Sequence, residues 1–226
     1  MALNDILKLF DEQGVTRVKL GTFDLDVILR GKYISRKKFE SSVVSVLCFC
    51  DVIFGWDIVD ALYEGVDIAV TGWKTGYPDA VARVDLDTLR LIPWEAGTAF
   101  FLLDLFDKDG EPLPMAPRNV LRRVVERAGK LGYEAWLSAE YEFFVFKETP
   151  ESLRTKNWRN LTPLSPGMFG YSVLRASQQA PMVLDLIDQL GAFDVAIEGF
   201  HTETGPGVYE AAIAVDRGMH AAMAAS

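Results

Sequence analysis

The first residues with the means to do chemistry lie in Ser138-Ala-Glu-Tyr-Glu-Phe-Phe-Val-Phe146. Aromatic and β-branched side chains predict a strand there. Its two-residue period puts Glu140 and Glu142 on one face with Ser138 and Phe144. Two carboxylates held side by side among phenylalanines raise each other's pKa unless a cation is present, and a divalent metal is the simplest resolution.

About sixty residues later comes an answering segment, Phe200-His-Thr-Glu-Thr-Gly-Pro-Gly-Val-Tyr-Glu210. Glu203 and Glu210 flank Thr-Gly-Pro-Gly, a sequence suited to a tight turn that returns the two carboxylates to each other. Four carboxylates are then expected to converge. An all-oxygen set of this charge suits hard cations such as Mg2+ or Mn2+, and can hold two of them, as phosphoryl transfer requires.

Glu140-Tyr-Glu142-Phe-Phe resembles the Glu-x-Glu-Phe-Phe strand of the glutamine synthetase family. The run His201-Thr-Glu203-Thr-Gly-Pro-Gly-Val-Tyr-Glu210 resembles the same family's His-x-Glu…Pro-Gly-Gln-x-Glu segment. The two motifs occur in the family's order, and the resemblance extends over essentially the whole chain. It implies an α+β fold: an N-terminal β-grasp domain over 1–97, then the first half of a glutamine synthetase-like catalytic domain over 98–226.

The resemblance also implies a reaction, the ATP-dependent ligation of the glutamate side chain to ammonia or an amine through γ-glutamyl phosphate, with a place in nitrogen metabolism and glutamine biosynthesis. Matched to the family motifs, Glu142, Glu203 and Glu210 hold the metal nearer the substrate carboxylate, and Glu140 holds the one nearer the nucleotide phosphates. ATP is co-substrate, two or more Mg2+ or Mn2+ ions are cofactors, and His201, Gly205 and Gly207 are expected at the substrate. An acidic residue of the first domain binds the ammonium or amine at a neighbouring subunit's site. Asp57 in the loop Phe54-Gly-Trp-Asp57 is the choice, with Asp51 and Asp60 as near alternatives. Homo-oligomeric rings follow from the same resemblance for a full-length chain.

Two departures from the family pattern matter. Val208 stands where the family has glutamine, which turns the expected acceptor from ammonia toward larger amines or polyamines. The chain stops at Ser226, before the segments that supply the family's remaining ligands and phosphate-clamping arginines. The ligase reading therefore has an alternative, a catalytically inactive truncated member that acts as an assembly or binding protein. In either case the glutamate-bearing sheet is expected to keep an exposed edge and an uncovered apolar face.

Composition bounds the rest. In 226 residues, 50% are hydrophobic, enough for a sizeable core, and the net charge of −9 argues against a nucleic-acid partner. Cys48 and Cys50 are the only cysteines, spaced without the geometry of an easy disulfide, and read as core thiols. No apolar run is long enough to span a bilayer and no signal peptide is recognisable, so the expected location is cytoplasmic.

The elements that must position the acids follow from periodicity. Residues 2–12 predict a helix with Leu3, Ile6, Leu7 and Phe10 on one face and Asn4 as N-cap. Strands are expected around turns at Gly21 and Gly31, then a short helix opened by Ser35, then a strand over Leu47–Phe54. Short strands and turns fill 66–95, with a domain boundary close to Gly97. After the apolar strand 99–105, Pro117 opens a helix whose buried face is Val120, Leu121, Val124, Val125 and Ala128. A long surface loop over 149–170, a helix over 178–190 with Met182, Val183, Leu186 and Ile187 inward, and a short strand at 194–197 lead to the second acidic motif. A last helix, containing His220, begins after Asp216.

Overall fold

The computed structural model describes residues 1–63, 65, 68 and 71–224. It divides into two compact units, Met1–Ala135 and Trp136–Ala225, and helices and strands are mixed in both.

In the first unit the elements are α1 (Leu3–Glu12), β1 (Arg17–Phe23), β2 (Leu29–Ser35), α2 (Arg36–Val44), β3 (Leu47–Cys50), β4 (Asp79–Leu91), β5 (Thr98–Phe106) and α3 (Pro117–Lys130). The five strands form one sheet in the order β2-β1-β5-β4-β3, antiparallel except for the central β1–β5 pair. Ile6 and Phe10 of α1 and Phe39 of α2 are buried against Val18, Leu20, Phe101 and Leu103. Phe39 stacks on Phe101 at 4.9 Å between ring centroids, so the helices meet the sheet through aromatic contact.

The amphipathic reading of α1 holds, since Ile6 and Phe10 are fully buried, but its N-cap is Ala2. The helix already includes Leu3, which leaves Asn4 inside the first turn. Ser35 does cap α2, accepting from the Lys38 amide at 3.2 Å. The strand expected over Leu47–Phe54 ends at Cys50 and continues as a single 3-10 turn, Asp51–Phe54. Leu47 and Phe49 take the core face of β3, so Cys48 is exposed and Cys50 is half-buried with Sγ 3.6 Å from the Tyr77 carbonyl; neither is a core thiol. Of the segment 66–95, positions 66, 67, 69 and 70 lie outside the described residues, and from Asp79 to Leu91 it is one long strand, bulged between Asp85 and Arg90.

Gly97 has φ +71° in the turn before β5, where its carbonyl accepts from the Thr16 and Arg17 amides. The boundary expected there falls inside this unit. β5 lies at the centre of the sheet, with α3 following it in the same unit.

The helix α3 starts at Pro117 as expected but docks by a different face. Arg118 and Asn119 are its buried residues: Arg118 donates to Asp104 at 2.9 Å and to Asp85 at 2.6 Å, and Asn119 donates to the carbonyls of Leu105 and Leu113. The expected apolar stripe is split, with Leu121, Val125 and Ala128 half-buried and Val120 39% and Val124 58% exposed. Four acceptors on and beside β5 hold the first turn of the helix by its polar side chains, and this overrides the hydrophobic period.

The second unit contains β6 (Trp136–Leu137), β7 (Glu140–Phe144), α4 (Pro150–Lys156), α5 (Val173–Ser177), α6 (Ala180–Ala192), β8 (Ile197–Thr202), β9 (Val208–Ile213), β10 (Asp216–Arg217) and α7 (Gly218–Ala224). Its main sheet is antiparallel in the order β7-β9-β8, and β6 pairs with β10. One face of the main sheet is aromatic: Phe143, Phe200 and Tyr209 lie within 6.3 Å of one another by ring centroid. The helix α6 turns Met182, Val183, Leu186 and Ile187 inward, and all four are half-buried. The expected loop over 149–170 begins instead with α4, because Thr149 and Ser152 form a capping box. The last helix begins after Asp216, as expected.

Candidate metal centre

The site is a row across three strands. Glu142 of β7 pairs in register with Glu210 of β9, and Glu210 pairs on its other side with His201 of β8. Residues directly opposite in a sheet project to the same face, with Cβ atoms about 4.5–5.5 Å apart. The row is therefore acid, acid, imidazole, on the face opposite the aromatic cluster. Glu140 is one step along the same face, opposite Ala212.

Glu203 joins the row through the turn. The Glu203 amide donates to the Val208 carbonyl at 3.0 Å, which closes the hairpin between β8 and β9. Gly207 makes that closure possible: its φ is +73°, and a Cβ there would sit 2.6 Å from the Val145 carbonyl. One ligand atom each from His201, Glu203 and Glu210 then lies within 4.8 Å of the others.

Local hydrogen bonds orient these groups. The Thr204 hydroxyl and amide both donate to Glu203 Oε2 at 2.7 Å, and these two bonds hold the Glu203 carboxyl below its ordinary pKa. Glu203 is thus kept ionised, with Oε1 3.8 Å from His201 Nδ1. That nitrogen is also 3.2 Å from the Thr202 carbonyl. On the other side of the ring, Nε2 lies 3.5 Å from Glu210 Oε1.

Burial sharpens the argument, because Glu210 is only 8% exposed. It has a carboxylate opposite on one side and the His201 imidazole on the other. Oxygen donors with one imidazole, gathered on one face, fit a hard divalent cation.

The sequence reading and the structure agree on the face shared by Glu140 and Glu142 and on the turn that returns Glu203 toward Glu210. They differ on the tightest cluster, which contains His201 and not Glu142. Two contributors escaped the sequence. Tyr171 has φ +54° and stacks on His201 at 4.3 Å, while Thr202 is buried and binds the adjoining segment through its hydroxyl, donating to the Phe169 carbonyl and accepting from the Ser172 amide. The Thr202 position between His201 and Glu203 was the available signal, since strand alternation sends it to the opposite face.

The three candidate aspartates all lie in the first unit. Asp57 Oδ1 accepts from the Val59 and Ala61 amides at 2.9 and 3.0 Å and so shapes its own loop. Asp60 is paired with Arg30 at 2.6 Å. Asp51 is buried, accepts from the Thr71 hydroxyl, and has its pKa pushed up by that burial.

Residues 114–225 match the family model for the glutamine synthetase catalytic domain. The chain is 50% identical over 196 residues to type-1 glutamine synthetase 2 of Dictyostelium discoideum, covering 87% of this chain and 37% of that protein. It is 33% identical over 221 residues to a glutamate–isopropylamine ligase of a Pseudomonas species, covering 96% of this chain and 48% of that one. A solved GmaS/ADP complex superposes with a TM-score of 0.74 at 15% identity, over 98% of this chain and 46% of that one. The chain thus spans about half or less of the length of the curated relatives it matches.

Proposed function

The chain belongs to the glutamine synthetase family, and we propose that it supplies the carboxylate side of an active site that joins glutamate to ammonia or an amine at the expense of ATP. The observation that carries the reading is the register Glu142–Glu210–His201, completed by Glu203 across the hairpin. A protein used only for assembly has no physical need for acids opposed in this way, because like charges directly opposite destabilise a sheet.

In the proposed reaction a carboxylate oxygen of the glutamate side chain attacks the γ-phosphorus of ATP, releasing ADP and leaving γ-glutamyl phosphate. The amine nitrogen then attacks the acyl carbon, phosphate departs with the bonding pair, and the nitrogen loses a proton. When bound, divalent ions would neutralise the meeting of carboxylate and phosphate and stabilise the charge on the transferring group. Glu142, Glu203 and Glu210 would hold the ion nearer the substrate carboxylate, and Glu140 the ion nearer the nucleotide.

The chain's own residues do the positioning. Thr204 keeps Glu203 charged and aimed, and Tyr171 stacks on the His201 ring. Gly205 and Gly207 let the backbone of the turn come close to the substrate beside His201. Asp57 would take up the ammonium or amine from a neighbouring subunit. With this reading go the finer assignments: a β-grasp domain in the first unit, a partial catalytic domain after it, subunits in a ring, and a cytoplasmic enzyme.

Manganese titration followed by electron paramagnetic resonance tests the reading. The 226-residue chain is expected to bind Mn2+ weakly, and Glu210→Gln to lower the affinity at least about tenfold, the lower end of the loss seen when a supporting residue of a metal site is removed. No saturable Mn2+ binding would sink the proposal. This chain alone is expected to release no phosphate from ATP in the presence of glutamate and an amine.

A further inference from the structure

At the β8 edge of the main sheet the segment 169–172 is held against the strand by one side chain. Thr202 is 3% exposed, and its hydroxyl donates to the Phe169 carbonyl at 2.6 Å while accepting from the Ser172 amide at 3.0 Å. Its carbonyl accepts from the Tyr171 amide at 2.8 Å and lies 3.2 Å from His201 Nδ1. We propose that Thr202 is a positioning residue of the metal centre: it clips Tyr171 over His201 and so sets the plane in which the imidazole meets Glu203 and Glu210. The inference rests on the metal-binding reading above and deepens it.

The backbone of Tyr171 carries the argument. Its φ of +54° is a conformation that a bulky side chain rarely adopts, and it falls on Tyr171 and not on Gly170 beside it. Such a conformation persists only where the surroundings over-determine it, and here the hydrogen bonds of Thr202 do so. Burial does not account for the ring, since Tyr171 is 73% exposed. Closure of the sheet edge does not account for it either, because a glycine would close the edge without strain. What the tyrosine adds is an aromatic ring 4.3 Å from the imidazole and 25° from its plane.

With that ring on one side, the imidazole keeps Nδ1 3.8 Å from Glu203 and Nε2 3.5 Å from Glu210. Turning the imidazole out of the stack would change both distances at once. Ser172 extends the arrangement: its hydroxyl caps α5, accepting from the Arg175 amide at 3.3 Å, while its own amide is taken by Thr202. The start of α5 and the imidazole are therefore fixed by the same threonine.

The test compares the 226-residue chain with Thr202→Val, Thr202→Ser and Tyr171→Gly. Valine keeps the branched shape and removes the hydroxyl, whereas serine keeps the hydroxyl. NMR of the histidine rings in the metal-free chain reads the stack, with two residues to tell apart, His201 and His220. Mn2+ titration reads the centre. In the unaltered chain and in Thr202→Ser, the His201 ring protons should be shifted upfield by Tyr171. In Thr202→Val and Tyr171→Gly that shift should be lost and Mn2+ affinity should fall about tenfold, as on removal of a group that orients a metal ligand. Tyr171→Gly separates positioning from stability: glycine adopts φ +54° freely, so the urea midpoint should hold while affinity falls. If the upfield shift or the Mn2+ affinity survives in Thr202→Val, the inference is overturned and the ligase reading stands. Affinity that falls only in step with the urea midpoint across the variants also overturns it. No saturable Mn2+ binding by the unaltered chain overturns both readings. If Thr202→Val does not fold, Tyr171→Gly decides by the same two measurements.

Discussion

Glu142 and Glu210 are directly opposite one another in the antiparallel pairing of β7 with β9. Without a cation this pair costs stability, and with one it binds. A single substitution should therefore move two measurements in opposite directions.

Glu142→Gln is expected to stabilise the metal-free protein by up to about 1 kcal/mol, the scale of a cross-strand pair, while lowering Mn2+ affinity. Urea unfolding with chelator and a metal titration check the two halves. A loss of stability in the metal-free state would show that the opposed acids are already compensated.

Gly207→Ala should open the hairpin that carries Glu203 and Glu210. The residue has φ +73°, and the new methyl would meet the Val145 carbonyl at 2.6 Å. A strained backbone of this kind costs about 1–3 kcal/mol, and the clash adds to it. Denaturation midpoints should fall, and Mn2+ binding should weaken with them because the turn sets the spacing of two ligands.

Glu148 reports on acid stability. Lys156, Ser152 and the Thr162 amide all donate to its carboxylate, with Lys156 the largest influence, and together they lower its pKa from 4.5 to about 2. A folded-state pKa below the unfolded one stabilises the protein above the unfolded value, and that stability is lost as pH falls through the folded value. The window is therefore from about pH 4.5 down to about pH 2. Across it, unfolding of Glu148→Gln should be less pH-dependent than that of the unaltered chain.

Arg118→Ala should be the most damaging of these changes to the first unit. It removes the partner of Asp85 and one of the two partners of Asp104, in a place where the arginine is 7% exposed. Breaking a buried ion pair from one side costs about 3–5 kcal/mol. Thermal unfolding measures it, and replacing Asp85 and Asp104 by apolar residues in the same chain should recover part of the loss.

The parts legible in the sequence were those in which the signal is local. Strand alternation put Glu140 and Glu142 on one face, Thr-Gly-Pro-Gly marked the hairpin, and the runs containing Ser35 and Pro117 opened helices. The failures were settled by partners distant in the chain. The apolar stripe of α3 is only half-buried, because carboxylates on β4 and β5 that pair with Arg118 bury the first turn of the helix by its polar residues. Cys48 is exposed because Leu47 and Phe49 take the core face of β3, a choice between faces set by the helices that cover the sheet. His201 entered the metal cluster because β8 pairs with β9 in a particular register, and Tyr171 covers it from just past the expected loop 149–170, in a stretch to which the sequence assigned no element.

The central place of β9 makes proofreading of the fold and construction of the site one event. If β7 or β8 slipped by a single residue against it, Tyr141 or Phe143 on one side, or Phe200 or Thr202 on the other, would stand where Glu142 and His201 now face Glu210. The mispaired sheet would turn its aromatic side chains toward water and bury its acids, and it would have no use for a cation. A metal ion that binds the correct pairing alone would draw the population toward it, and so act as an editor of strand alignment before any substrate arrives.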